Sequence, residues 1–111
     1  MIEKTLLDYL SAALKEPVFM EVPEKATGAF FVLEKTGSGR ANHINEATIA
    51  VQSYASSLAK AAEMNERAKA ALDRCAELDA VCRVNLNTDY NFTDTASKRY
   101  RYQAVFDVAH Y

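Results

Sequence analysis

From Val81 to Tyr111 the chain reads VCRVNLNTDYNFTDTASKRYRYQAVFDVAHY, and its period-two alternation constrains the fold more than any other feature. Cys82, Val84, Leu86, Thr88, Tyr90 and Phe92 fall on one side; Arg83, Asn85, Asn87, Asp89 and Asn91 fall on the other. That is the pattern of a long half-buried strand. After a turn-like stretch at 93–98 the alternation resumes, with Tyr100, Tyr102, Ala104, Phe106 and Val108 against Arg101, Gln103 and Asp107. Two such runs predict an antiparallel hairpin. Same-face residues oppose each other in such a pair, so the expected register sets Phe92 against Tyr100, Tyr90 against Tyr102, Leu86 against Phe106 and Val84 against Val108. A slip by two residues, which would put Phe92 opposite Lys98, is the poorer match. Strands of about eleven residues exceed the usual length, so the tip around Phe92 to Tyr100 is expected to project beyond the core and reach a neighbour.

At 111 residues the chain has room for one domain, 1–111, with a two-layer core. A net charge of -2 and a pI near 5.7 argue against a dedicated nucleic-acid binder, which carries a basic excess to neutralise phosphates. No apolar run approaches a membrane span, and MIEKTLLDYL is acidic where a signal peptide is basic, so synthesis in the cytoplasm is expected. Cys75 and Cys82 lack CxxC spacing and have only His43 and His110 as company. They read as small buried hydrophobes, not as a zinc site.

In chain order, Ile2, Leu6, Tyr9, Leu10 and Ala13 recur at helical spacing, predicting a helix over 2–15 that ends before Pro17. A short strand follows at 18–22, then a polar stretch at 24–28. The AFFVLEKT run, 29–36, is apolar enough for a central strand, and EATIAVQSY, 46–54, alternates as a third. Between them GSGRANHIN, 37–45, is rich in turn formers and reads as a mobile arm rather than a tight turn. Ser56 or Ser57 caps a long second helix running to about Glu77, with Leu58, Ala61, Ala62, Ala68, Leu72 and Cys75 on its buried face and a Glu63–Arg67 pair on its surface. Asn65 interrupts that face and reads as a boundary residue satisfied by water or backbone.

The resulting order, α-β-β-β-α-β-β, predicts an α+β fold: a mainly antiparallel sheet with two helices packed on one face and a long C-terminal hairpin. Phe30, Val32, Val105 and the aromatic tip are then left on the other face as apolar surface, the mark of a partner interface.

No catalytic constellation is legible. GSGR is a fragment of a phosphate loop without GxxxxGK[ST] or GxGxxG and without a helix to follow it. His43 stands three residues from Glu46, but a histidine in a polar loop is ordinarily solvated or an interface contact. Neither cysteine has a histidine partner, and no serine sits in GxSxG. The expectation is therefore no enzyme and no cofactor. Lys98, Arg99 and Arg101 beside Tyr100 and Tyr102 evoke single-strand nucleic-acid binding, but alternation separates the tyrosines from the arginines, predicting an aromatic side and a polar side.

The N-terminal MIEKTLLDYL helix, the VFMEVPE strand, FVLEKTGSGRANHINEATIAVQSYA and the closing NTDYNFTDTASKRYRYQAVFDVAHY together resemble the small tail-terminator proteins of siphophages and related prophages, also described as tail completion or head-to-tail joining proteins. The resemblance spans essentially the whole chain and involves no active-site signature. It implies a structural virion protein, assembled in the bacterial host cytoplasm and located at the tail–neck junction. Such a protein caps the tail tube as a six-fold ring, ends tube polymerisation and docks the head. The partners it implies are further copies of the chain, the major tail tube protein and a head–tail connector or neck protein, with no sequence-specific nucleic acid and no membrane. Exposure then nominates Arg40, Asn42 and His43 in the arm, and Tyr90, Phe92, Arg99 and Arg101 at the hairpin, as subunit or tube contacts. The alternative reading is a monomeric or dimeric α+β module that binds a protein or ligand.

Overall fold

In a computed structural model, which describes residues 1–24, 28–94, 96 and 99–111, the elements run α1 (Ile2–Ala13), β1 (Val18–Phe19), β2 (Phe30–Ala41), β3 (Ile44–Ala55), α2 (Leu58–Asp73), a 3-10 turn (Arg74–Glu77), β4 (Val81–Asn91) and β5 (Tyr100–His110). The α+β class and the element order are those the sequence predicts. The sheet is ordered β1-β2-β3-β5-β4, and every pairing is antiparallel except the two-residue β1 against β2.

Helix α1 stops at Ala13, two residues short of the expected end, because Leu14 is already extended (φ -111°, ψ 146°) ahead of Pro17. The Pro17 carbonyl then accepts from the Phe31 amide at 2.8 Å, which lays β1 alongside β2. The strand expected over 18–22 is thus only Val18–Phe19, and it is parallel. In α2, Ser57 rather than Ser56 is the cap, its hydroxyl accepting from the Lys60 amide at 3.2 Å. The helix tightens to a 3-10 turn after Asp73 instead of continuing regularly to Glu77.

Both helices lie on one face of the sheet. Ile2, Leu6 and Leu10 of α1 and Ala61, Met64, Ala68 and Leu72 of α2 close over Phe31, Leu33, Ile49, Val51, Phe106 and Val108. Full burial of each large side chain here is worth about 1.5–3 kcal/mol relative to exposure. Leu58 is exposed, and Met64, Asn65 and Ala71 take places on the buried side of α2 that its alanine pattern had not assigned. At the open end of this layer Arg67 of α2 bonds both Glu63 (2.7 Å) and Glu16 (2.8 and 2.5 Å), tying the segment after α1 to α2.

Three further expectations are corrected. The stretch 37–45 is no mobile arm: β2 runs through it to Ala41, and β3 begins at Ile44 after a two-residue turn. Asn42 and His43 both adopt positive φ, 52° and 66°, the geometry of the tight turn that matches strand twist. Asn and His are both among the side chains enriched in this region, which is still less favourable for either than for glycine.

The hairpin register holds only at its base. Val84↔Val108 and Leu86↔Phe106 pair as expected, but Asn87 is an extra residue in β4, and beyond it Tyr90 faces Gln103 and Asn91 faces Tyr102. A single-residue bulge inverts all later side chains. Thr88, Tyr90 and Phe92 therefore leave the face of Val84 and Leu86, and Asp89 takes the helix side. Cys82 is a second bulge, between Val81 and Arg83. Lys98, invoked to reject another register, lies outside the described residues, as does part of the polar stretch 24–28.

Finally, Asn65 is not a boundary residue. It is 1% exposed and its Nδ2 donates to Asp89 Oδ2 at 2.9 Å.

Candidate functional site

The face of the sheet that carries no helix is built from alternate residues of five strands, and the inversion at Asn87 decides its character. Phe19, Phe30, Val32, Gln52, Tyr54, Arg101, Gln103, Tyr90 and Phe92 share it. Phe30, Val32 and Tyr54 are buried in a small second cluster, so the expectation that Phe30 and Val32 stand in water is corrected. Phe30 stacks on Tyr54 (centroids 4.7 Å, planes 12° apart) and meets the edge of Phe19 at 5.9 Å. Val105 stays half-buried.

Two glutamines bridge β3 and β5 on this face. Gln52 and Gln103 sit opposite each other, and Gln52 Nε2 donates to Gln103 Oε1 at 2.8 Å. The Gln103 amide donates to the Tyr90 hydroxyl at 2.6 Å, and the Tyr54 hydroxyl donates to Gln52 Oε1 at 3.1 Å. The chain of donors and acceptors runs from β3 through β5 to β4 and keeps each buried amide partnered.

Arg101 anchors the end of this network nearest the hairpin tip. Its Nε donates to the Phe92 carbonyl at 2.8 Å and its Nη1 to the Tyr54 hydroxyl at 2.9 Å, while the guanidinium lies 4.3 Å from the Phe92 ring centroid and 5.4 Å from that of Tyr54. No carboxylate pairs with it among the described residues. Tyr100 and Tyr102 do fall on the face opposite Arg101, as expected, but the Arg101 face is not a polar one: the guanidinium sits among the rings of Tyr54 and Phe92, an arrangement worth about 0.5–1 kcal/mol near the surface. Tyr100 and Tyr102 remain on the helix side, where Tyr102 packs against the core.

Around this end, Phe19, Met20, Val22, Tyr90, Phe92 and Tyr100 are each exposed by roughly two-fifths, between 37% and 42%. A shallow recess lies between Val22, Tyr54 and Arg101 on one side and Asp94 and Arg99 of the tip on the other. Asp94 and Arg99 form an isolated β-bridge, which narrows the hairpin before its turn. The Asn91 side chain accepts from the Thr93 amide at 3.0 Å, and the Thr93 hydroxyl accepts from the Arg101 amide at 3.2 Å. The tip begins as an ordered extension of the strands.

Arg40, Asn42 and His43 are exposed at the opposite end of the sheet, where the β2–β3 turn stands beside His110 and Val81. The seven residues nominated from the sequence thus divide into two groups at the two ends of a molecule measuring 44 × 25 × 24 Å. His43 makes no bond to Glu46 among the described residues; Glu46 instead approaches Arg83 at 3.6 Å. GSGR lies in strand β2, where its backbone is committed to β3 and cannot wrap a phosphate.

Tyr54, Gln52 and Gln103 are participants that sequence reasoning missed. A faint signal existed in two amides interrupting apolar strand runs, but their opposition depends on β5 lying beside β3, which no local pattern specifies. Cys75 and Cys82 are free, and burial raises the Cys75 thiol to about 11. Among the described residues there is no group of three or more His, Cys, Asp or Glu arranged to hold a metal, and no helix is long and apolar enough to cross a membrane. No protein-family model matches the chain, and a search of curated proteins returns no significant match.

Proposed function

We propose that this chain is a tail terminator: a structural protein that caps a phage tail tube as a ring, six-fold in the family it resembles, stops tube growth and offers the docking surface for the neck of the filled head. The observation that carries the reading is the separation of two unlike surfaces at opposite ends of one sheet. One is aromatic and arginine-bearing, at the β4–β5 end; the other is polar, at the Asn42–His43 turn. Head-to-tail association into a closed ring needs two different complementary patches on each subunit. Partly exposed apolar residues gathered at one place are what a partner surface requires. The likeness of the whole sequence to tail terminators supplies the identity of the ring and its partners: further copies of the chain, the major tail tube protein and a neck protein. On this reading the protein resides in the virion, at the tail–neck junction.

Electron microscopy of the protein mixed with assembled tail tubes tests the reading. The expected result is a ring at one tube end, and tubes of uncontrolled length when the protein is omitted from assembly. Tubes that end identically with and without it would return the chain to the class of small binding modules. Within a positive result, Phe92→Ala and Arg101→Ala at one end, or Arg40→Ala at the other, are expected to weaken ring formation by about tenfold each, the effect of losing a central contact worth 1–2 kcal/mol.

A further inference from the structure

We infer that Asp89, acting through Asn65, sets the register of the outer half of the β4–β5 hairpin and thereby decides which face of the sheet displays Tyr90 and Phe92. The role concerns this fold alone and stands whether or not the chain caps a tail tube.

Two registers are open to the hairpin above its base. With Val84↔Val108 and Leu86↔Phe106 fixed, uninterrupted alternation would pair Thr88 with Ala104, Tyr90 with Tyr102 and Phe92 with Tyr100. The observed hairpin instead spends Asn87 as a bulge and pairs Thr88 with Val105, Tyr90 with Gln103 and Asn91 with Tyr102. The two differ by one residue, which exchanges the faces of everything from Thr88 to Phe92. Aromatic burial does not choose between them. In the uninterrupted register Tyr90 and Phe92 would lie against Tyr102 and Tyr100; in the observed one they lie against Gln103 and Arg101, at 2.6 Å and 4.3 Å.

Asp89 does distinguish them. In the observed register its carboxylate points to the helix side, where Oδ2 accepts from Asn65 Nδ2 and from Lys69 Nζ, both at 2.9 Å. Lys69 is not the arbiter, since it also holds Glu66 at 3.0 Å and its amine retains access to water. Asn65 has no such recourse. It is 1% exposed, and its Oδ1 already lacks a partner among the described residues. In the uninterrupted register Asp89 would stand opposite Gln103 on the helix-free face, and the Asn65 amide would lose its one bond as well. A buried amide stripped of partners is the most unfavourable single consequence of the slip. The bulge at Asn87 is the means by which an acidic residue at an odd position reaches α2, and the display of Tyr90 and Phe92 follows from it.

The experiment is NMR of the full chain, reading cross-strand Hα–Hα contacts between β4 and β5. The wild type is expected to show Asn91 opposite Tyr102. In Asp89→Ala these contacts should move to Tyr90 opposite Tyr102 and Phe92 opposite Tyr100, whereas Asp89→Asn, which keeps an acceptor for Asn65, should hold the native pairing. An Asp89→Ala chain that folds with Asn91 still opposite Tyr102 overturns the assignment. If Asp89→Ala does not fold, the same substitution in a chain lacking Asn87 decides. Without the extra residue, plain alternation already sends Tyr90 and Phe92 to the helix-free face, so folding with Asn91 opposite Tyr102 is expected. Failure to fold there too would mean that Asp89 serves general stability and not register.

Discussion

The two faces of the sheet are held by different physics. On the helix side Phe31, Ile49, Val51 and Phe106 are shut from water by two helices, and apolar contact dominates, with the Asn65–Asp89 hydrogen bond at its margin. On the other side the same strands present a short aromatic cluster, a bridge of two glutamines and an arginine lodged between rings. Apolar packing is tolerant of small shifts because it has no direction. A hydrogen-bonded network has direction, so the helix-free face is fixed in shape while remaining open to solvent at its edge. A face that must both stay rigid and meet a partner is better built the second way.

Four measurements would break or sharpen this contrast. The largest effect is expected from Phe106→Ala, which opens a cavity under both helices and should cost about 3–5 kcal/mol in urea unfolding; a loss under 1 kcal/mol would mean that the helix layer is not where stability resides. On the other face, Gln103→Leu preserves volume but strands the Gln52 amide and the Tyr90 hydroxyl, and should cost about 1–3 kcal/mol. A smaller loss for the Gln52→Leu/Gln103→Leu double variant than for the single one would identify the network, and not packing, as the source.

The third concerns the edge of the helix layer. Arg67, hydrogen-bonded to Glu16, holds that carboxyl below its usual range, against the opposing effect of burial. Because the folded value is depressed, the stabilisation is fully present above the unfolded carboxyl range near about 4.3 and fades as pH falls through the folded value. Unfolding followed from pH 6 to pH 3 should steepen below that range in the wild type and flatten in Arg67→Ala; parallel curves would exclude the pair as a source of acid sensitivity. Smallest of all, His43→Gly relieves a positive φ at the turn but loosens the unfolded chain, and a net gain of a few tenths of a kcal/mol is expected in thermal unfolding. A loss would show that the freedom gained by the unfolded chain outweighs the relieved φ.

What was legible in the sequence follows the range of the interactions responsible. The presence of helix α1, a serine cap at Ser56 or Ser57, the order of elements and the base of the hairpin are written in local period and capping chemistry, though the choice of Ser57 and the end of α1 at Ala13 are not. The Asn42–His43 turn was misread because it lacks glycine, the residue that ordinarily announces this geometry, although the Gly-Ser-Gly run before it drew attention to the wrong residues. The second half of the hairpin was misread for a deeper reason. Alternation from Thr88 to Phe92 is flawless as a string, but a bulge is invisible to periodicity, and its cause lies on α2, in Asn65, some twenty residues earlier. The inward alanines of α2 were partly recognised, yet the polar residue among them, set aside as incidental, makes the contact that the string could not reveal. Of the seven candidate contact residues six are exposed and Arg101 is half-buried, and their grouping into two ends follows from the strand order.

That order has a consequence for synthesis. In the sheet, β3 lies between β2 and β5, so one of its edges pairs at once with the strand made just before it. The other waits until α2, the 3-10 turn and β4 have all been made, because its partner is the last strand of the chain. Throughout that interval the growing polypeptide carries an apolar strand, with Ile49 and Val51 at its centre, open along its whole length to any other strand it meets. Helix α2, which emerges next and packs on this same strand, is the first cover available to it. The making of β5 is therefore the event that closes the sheet, and chains cut short before Tyr100 are the ones most exposed to pairing with each other.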